Sequence, residues 1–521
     1  MRVGSASRRR DLLGAAAGTV ALGAGFVSTA RAATARGPLV VVGPWEIGGL
    51  APARSGYVFA RMQVAETLVD IGDDGTPVPG LAASWAASGD GLLWRFTLRA
   101  GARFHDGSPV TAAAVARSLR ESTTPPAALG LVPIRSIDAD GDGTVAIRLK
   151  APFAGLAALL SHYSAIVLAP ASYGRDGTVQ SIVATGPYRI TTLAPPQQLD
   201  AERFDAWSGG PPPAVERVRY LVASRAETRS MMAESGQADL AFSLDPASVT
   251  RLSSRNGAAI ASVLLPRTLI VKLNAGLPAL GDLRVRRALA FAIDRDGIAR
   301  ALMRDPTLAA TQLFPPSMTG WHDPARAPLG HDPVAAARLL DEAGWRLAGE
   351  RRLDARGQPL ALVLRTFPDR PELPTIAAAL QAQWRRVGIE VTVSIGNSGD
   401  IPLAHRDGTL QLALAARNYG AVADPVGTLM QDFGAAGGDW GATGWRDDAV
   451  VAALEALAAG RLSGPDAARA RGRVAGGLHE GLPVIPVAWY RQQVAVSRRI
   501  GEVRLDPFER SYRLTQIRWR G

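Results

Sequence analysis

The sequence predicts an α/β protein of two or three lobes, on three observations. Segments that alternate apolar and polar residues, as strands do, are interleaved with segments of helical period along most of the chain. At 521 residues the chain is too long for a single compact core. Its 47% hydrophobic and 20% charged content is that of a globular rather than a disordered protein.

Taken in order, Leu39 to Val42 is a short apolar strand and Gly56 to Asp70 reads as a helix. From Thr76 to about Ala184 the pattern is strand, turn, strand, helix, hairpin, helix. Within it Trp94-Arg95-Phe96-Thr97-Leu98 alternates, and Pro109-Val110-Thr111 leads into an Ala-rich helix that Thr111 is placed to cap. Val218 to Val222 is a strand followed by a helix over Glu227 to Glu234, which ends at Ser235-Gly236 before an apolar strand at Leu240. Leu269 to Asn274 is another strand, and it precedes a helix over Leu283 to Ala292. His331-Asp332-Pro333 opens a helix that runs to Gly344-Trp345. Ile376 to Val387 is an amphipathic helix stopped by Gly388, with Ile389 to Val393 as its partner strand.

Several of these segments also match one family in order. They are RMQVAETLVDIGDDGTPVPGLAASW at 61–85, Gly186-Pro187-Tyr188, the Ser235-Gly236-Gln237-Ala238-Asp239-Leu240 unit, RVRRALAFAID at 284–294, and the Asp332-Pro333 helix ending in Glu342-Ala343-Gly344-Trp345. On them the chain resembles the solute-binding proteins of ABC importers, family 5 (cluster C, oligopeptide/dipeptide/nickel-type). Arg406-Asp407-Gly408 together with Tyr419-Gly420 and Asp424-Pro425 looks most like the nickel-chelate-binding members. The resemblance implies a two-lobed periplasmic binding protein type II-like fold with an extra α/β subdomain and two interlobe crossings, placed near 266–273 and 486–496. It implies residues 33–75, 185–265 and 490–521 as lobe I, 76–184 as the extra subdomain, and 266–489 as lobe II. The function implied is capture of a small solute, a short peptide or a metal-chelate or opine-like compound, and its delivery to ABC transporter permease subunits by a monomer. The alternative class is a periplasmic hydrolase or lyase on a similar scaffold.

The N-terminus reads as an export signal. Ser7-Arg8-Arg9-Arg10-Asp11-Leu12-Leu13 precedes an apolar run from Gly14 to Val27, and Ala30-Arg31-Ala32 supplies an A-x-A site, so residues 1–32 are expected to be a cleaved twin-arginine signal peptide. The run is shorter than the roughly 20 apolar residues that span a bilayer. The sequence contains no cysteine, so neither a disulfide framework nor a lipid-bearing Cys is expected, and the exported protein should be soluble and unanchored.

Residues 1–32 hold five arginines against Asp11, a net +4 that leaves about +7 of the total +11 for the rest of the chain. Lysine occurs only at Lys150 and Lys272, and the arginines are scattered rather than massed with interleaved aromatics, which argues against a nucleic-acid partner. A basic surface of this kind favours anionic ligands.

Motifs of catalysis and metal binding are weak. Asp138-Ala139-Asp140-Gly141-Asp142-Gly143 begins like a calcium loop, but Leu149 stands at the twelfth position where a bidentate Glu is needed, and a hairpin turn is the simpler reading. His105-Asp106-Gly107 is ordinary turn chemistry. The six histidines show no close ligand spacing, and there is no G-x-S-x-G, phosphate-binding loop or nucleophilic Cys. No catalytic residue, resident metal or cofactor is therefore assigned, and the chain is not expected to be an enzyme.

Candidate ligand contacts follow from the resemblance and from residue chemistry. Arg417, Asn418, Tyr419 and Asp424 lie in the segment that lines the family's cleft, and His162 and Tyr163 lie in the matching first-lobe segment. Trp45, Arg54 and Tyr57 stand near the first strand, and Trp440 and Trp445 sit in a Gly-rich stretch. Arginine forks suit carboxylates, and Trp or Tyr rings supply flat apolar walls. Two departures matter. Ala421 occupies the position of the Asp that takes the ammonium in peptide-binding members, and no His follows within 426–440 where nickel-chelate members place a metal ligand.

Overall fold

A computed structural model describes residues 37–520 except 125, 126, 255–257, 369, 421, 423, 436, 437 and 439. The expected signal peptide and Ala421 lie outside the described residues.

The main feature is one ten-stranded sheet. Its order is Glu390–Ile395, Ala361–Thr366, Leu412–Asn418, Ala258–Leu273, Val484–Ser497, Leu240–Ala241, Leu39–Gly43, Arg217–Val222, Gln198–Arg203 and Tyr188–Ala194. At its centre the 16-residue strand Ala258–Leu273 pairs antiparallel with the 14-residue Val484–Ser497. This pair carries the chain between two cores. Leu269, Val271 and Leu273 pack with Leu362, Leu364, Leu412 and Trp384 on one side. At the other end Val494 and Val496 pack with Leu39, Val41, Tyr188 and Tyr220. The register shifts between Leu265 and Thr268, where Pro266 brings no N–H to the ladder, so the long strand is bent where the two cores meet.

A separate four-stranded sheet, Ala82–Ala87, Leu93–Leu98, Thr144–Leu149 and Ile134–Ala139, packs with the helix Ala112–Glu121 around Phe96, Phe104, Val115, Leu119 and Ile147. Thr111 caps that helix by accepting from Ala114 N at 3.2 Å. The hairpin read at 138–143 is there, and its Asp138 and Asp140 are paired with Arg148 and Arg95.

Local chemistry fixes other boundaries. Asp332 Oδ1 accepts from Ala335 N at 2.8 Å and starts the helix Pro333–Glu342. The helix expected over Gly56 to Asp70 is displaced and shorter. It begins at Pro52, whose fixed φ suits the first turn, and ends at Arg61 because Gln63 takes a left-handed φ of 53° that closes the C-terminus. Among the described residues no helix is long and apolar enough to cross a membrane.

Candidate functional site

A cavity of about 520 Å³ lies where the helix Pro52–Arg61, the turn at 161–163, the end of the strand Leu412–Asn418 and the C-terminal segment 504–516 converge. The helix contributes Tyr57 and Arg61, one turn apart and therefore on one face. Arg61 is held flat, its guanidinium 4.3 Å from the Trp45 ring and its Nε donating to the Glu509 carbonyl at 2.7 Å. Tyr57 meets Tyr163 edge-on at 5.7 Å and donates its hydroxyl to Glu46 O at 2.6 Å.

His162 is fixed through Ser164. Its Nδ1 lies 3.2 Å from Ser164 N and 2.8 Å from Ser164 Oγ, while Ala128 N donates to the same Oγ at 3.0 Å. Burial, reinforced by the charge of Arg510, lowers its pKa to about 4, so the ring is neutral at ordinary pH.

The carboxylates of the wall are engaged. Glu66 takes both Nη2 contacts of Arg99 at 3.0 and 3.1 Å, and the Trp207 Nε1–H at 3.3 Å. Asp70 pairs with Arg510, and Asp73 with Arg513. Asp506 accepts from the backbone N–H groups of Phe508, Arg510 and Ser511 at 2.8, 3.0 and 3.0 Å. Glu509 pairs with Arg267 and accepts from Gln492 Nε2 at 3.1 Å. Burial opposes the Glu509 charge, but Arg267, Arg61 and Arg370 outweigh it and hold the carboxyl below its ordinary range.

Of the residues singled out from sequence, Tyr57, His162, Tyr163 and Asn418 line this cavity. Trp45 stands behind Arg61 on a minor cavity of about 10 Å³. The others lie elsewhere. Arg54 is exposed on the first turn of its helix. Arg417 turns to the opposite face from Asn418 and forms a fork with the buried Asp432 at 2.6 and 2.7 Å, so its guanidinium is committed. Tyr419 is fully buried in a core against Phe314, ring centres 5.4 Å apart. Asp424 accepts from Val426 N at 3.0 Å and opens the helix Val426–Phe433. Trp440 packs on Phe367, and Trp445 on Phe433, both as partners of apolar cores. Sequence reasoning missed Arg61 and the whole C-terminal wall, Arg504 to Gln516. The one signal there was Asp506-Pro507-Phe508-Glu509-Arg510, a turn sequence that mixes charge with an aromatic ring.

Residues 76–440 match the model of bacterial extracellular solute-binding proteins, family 5 (middle region). The chain is 29% identical over 404 residues to the nickel-binding periplasmic protein of Escherichia coli K12, covering 73% of this chain and 75% of that one. It is 27% identical over 271 residues to the glutathione-binding protein GsiB of the same organism, covering 51% and 52% of the two chains. Its fold is similar to that of NikA from Brucella suis in complex with Fe(III)-EDTA, with a TM-score of 0.83, 25% identity, and coverage of 93% of this chain and 100% of that one.

Proposed function

Since the chain belongs to the bacterial extracellular solute-binding proteins of family 5, and so serves an ABC transporter, we propose that its solute is a short peptide or a metal-chelate or opine-like compound, bound in the cavity of about 520 Å³. The observation that carries this reading is the position of that cavity. Its walls come from one apolar core through Tyr57, from the strand Leu412–Asn418 of the other core, and from a C-terminal segment tied to both by Arg61 and Arg267. A solute touching all three favours the closed arrangement, and its differential affinity for that arrangement is what a permease reads. The hydrolase or lyase alternative draws no support from these relatives, which are binding proteins.

In this reading residues 1–32 are a twin-arginine signal, and the mature protein works outside the cytoplasm as a monomer without a lipid anchor. Residues 33–75, 185–265 and 490–521 make one lobe, 76–184 its subdomain and 266–489 the other lobe. Tyr57, Tyr163, His162 and Asn418 are assigned as ligand contacts, with Arg61 added to them. The test is native mass spectrometry of protein purified from its own periplasm, combined with solution scattering before and after the trapped compound is removed. A trapped small molecule whose removal increases the radius of gyration is expected; protein with no trapped molecule, and no change of shape with any peptide or chelate supplied, would reject the reading.

A further inference from the structure

We infer that the turn at 150–155 and the C-terminal end of the helix Asp448–Ala458 form a clasp that holds the closed cleft shut; this rests on the reading of 76–184 and 266–489 as parts of two lobes that close on a solute. The helix end builds the acceptor. Gly460, at a left-handed φ of 66°, lets its own N–H donate to Leu457 O at 3.0 Å and that of Arg461 to Ala456 O at 3.2 Å, while Ala459 N donates to Glu455 O at 3.0 Å. The Ala458 carbonyl comes after these, at the negative end of the helix dipole, and it accepts from Ala154 N at 3.2 Å. Among the described residues this is the one backbone hydrogen bond between 76–184 and 266–489. A second contact joins the same two bodies, since Val422 packs on the apolar core of the subdomain.

Both contacts are tied to the cavity wall. Ala154 follows Phe153, which packs on the subdomain core, and precedes the helix Leu156–Leu159, whose four residues are all buried and which leads into Ser161, His162 and Tyr163. Val422 stands just beyond Asn418 on the other body. Neither Ala154 nor Gly460 lines the cavity, so the clasp biases closure without touching the solute. It is weak by construction. Both residues are exposed, and one exposed hydrogen bond with a methyl-sized contact shifts an open–closed balance by about tenfold at most. That suits a cleft that must reopen to a permease. Side-chain size sets the fit: a Cβ added at Gly460 would lie 2.7 Å from Ala154 Cβ but 3.7 Å from its Cα. A larger residue on either side therefore props the clasp open, and glycine at position 154 makes room again.

Hydrogen exchange and solution scattering on the purified protein, freed of any trapped compound, test this. The Ala154 amide is expected to exchange at least about threefold more slowly than in an unstructured peptide. Gly460→Ala, and Ala154→Leu, which leaves the helix end unaltered, should each bring residue 154 to the peptide rate and increase the radius of gyration. Adding Ala154→Gly to Gly460→Ala should restore both readings, although alanine at a left-handed φ keeps the melting temperature lowered. Peptide-rate exchange of Ala154 in wild type, or wild-type protection and dimensions in both bulky variants, sinks the clasp. So does opening at residue 154 with an unchanged radius of gyration, or a double variant as open as Gly460→Ala. No solute enters these measurements, so each such failure leaves the solute-binding reading intact; that reading fails separately, on the absence of a trapped molecule and of any change of shape with peptides or chelates.

Discussion

His105 shows how a single residue ties stability to pH. It is buried, with Nε2 donating to the Gly186 carbonyl at 3.0 Å and Nδ1 accepting from Ala184 N at 3.4 Å, and burial lowers its pKa from 6.5 to about 4. A neutral ring is therefore part of the joint between the 105 turn and the strand that starts at Tyr188. On acidification the unfolded chain takes up the proton first, so this contribution is whole above pH 6.5 and is lost as pH falls toward 4, at most ~3 kcal/mol. Urea unfolding of His105→Gln, which retains an N–H donor, is expected to lose less stability between about pH 7 and pH 4.5 than wild type; parallel pH profiles would refute the assignment. Residue type alone announced the chemistry at such positions but not its direction. Arg417 and Asn418 are adjacent in sequence and equally plausible as ligand contacts. The two-residue period of the strand sends Asn418 to the cavity and Arg417 to Asp432, a partner fifteen positions away that no local pattern indicates.

At the scale of elements, the turn after Asn418 is docked on the bend of the long central strand. Tyr419 N donates to Pro266 O at 2.8 Å, and a Cβ added at Gly420 would lie 2.1 Å from Pro266 Cγ and 3.0 Å from Phe508. Only glycine lets the strand end, the bend and the C-terminal segment meet. Gly420→Ala should cost about 1–3 kcal/mol through overpacking and displace the turn that carries Asn418. Gly427→Ala, where an added Cβ meets nothing within 4 Å and alanine suits the helix Val426–Phe433 better than glycine, is the control and should leave the melting temperature unchanged or raised. Equal effects of the two substitutions would show that the close approach to Pro266 is unimportant. Element types and their order were readable from periodicity and caps, as with Thr111 and Asp332, because these signals are local. The exact helix over Pro52–Arg61 was not, since its end depends on the left-handed turn at Gln63, a residue type that does not advertise it. The C-terminal wall escaped for a different reason. Its residues pair with groups some 440 positions earlier, as Arg510 does with Asp70, and alone they read as charged surface chain.

For the molecule as a whole, the charged cluster at the bend couples the two cores. Glu509, on the C-terminal segment, pairs with Arg267 on one central strand and accepts from Gln492 on the other, while Arg61 binds its carbonyl. On the opposite side Arg267 and Arg370 lie 5.2 and 5.1 Å from the ring of Tyr490, and Glu372 completes the group. Three arginines thus face two carboxylates around the segment that must flex if the lobes open. Removing the Glu509 charge leaves Arg267, only 6% exposed, without its ion-pair partner, and breaking a buried pair from one side costs about 3–5 kcal/mol. If that cluster held only the fold, Glu509→Gln would lower the melting temperature and nothing else. Because its members come from both cores and from both central strands, the loss should fall also on the closed arrangement. The variant is expected to show a larger radius of gyration without solute and faster solute release, with association little changed. The carboxyl is held below its ordinary range, so in wild type this contribution is present above about pH 4.5 and fades as pH drops through the folded value, a decline that Glu509→Gln should lack. Scattering at about pH 7 and pH 4 on both proteins separates the two roles: a purely structural cluster would leave the radius of gyration of the folded variant equal to that of wild type at either pH.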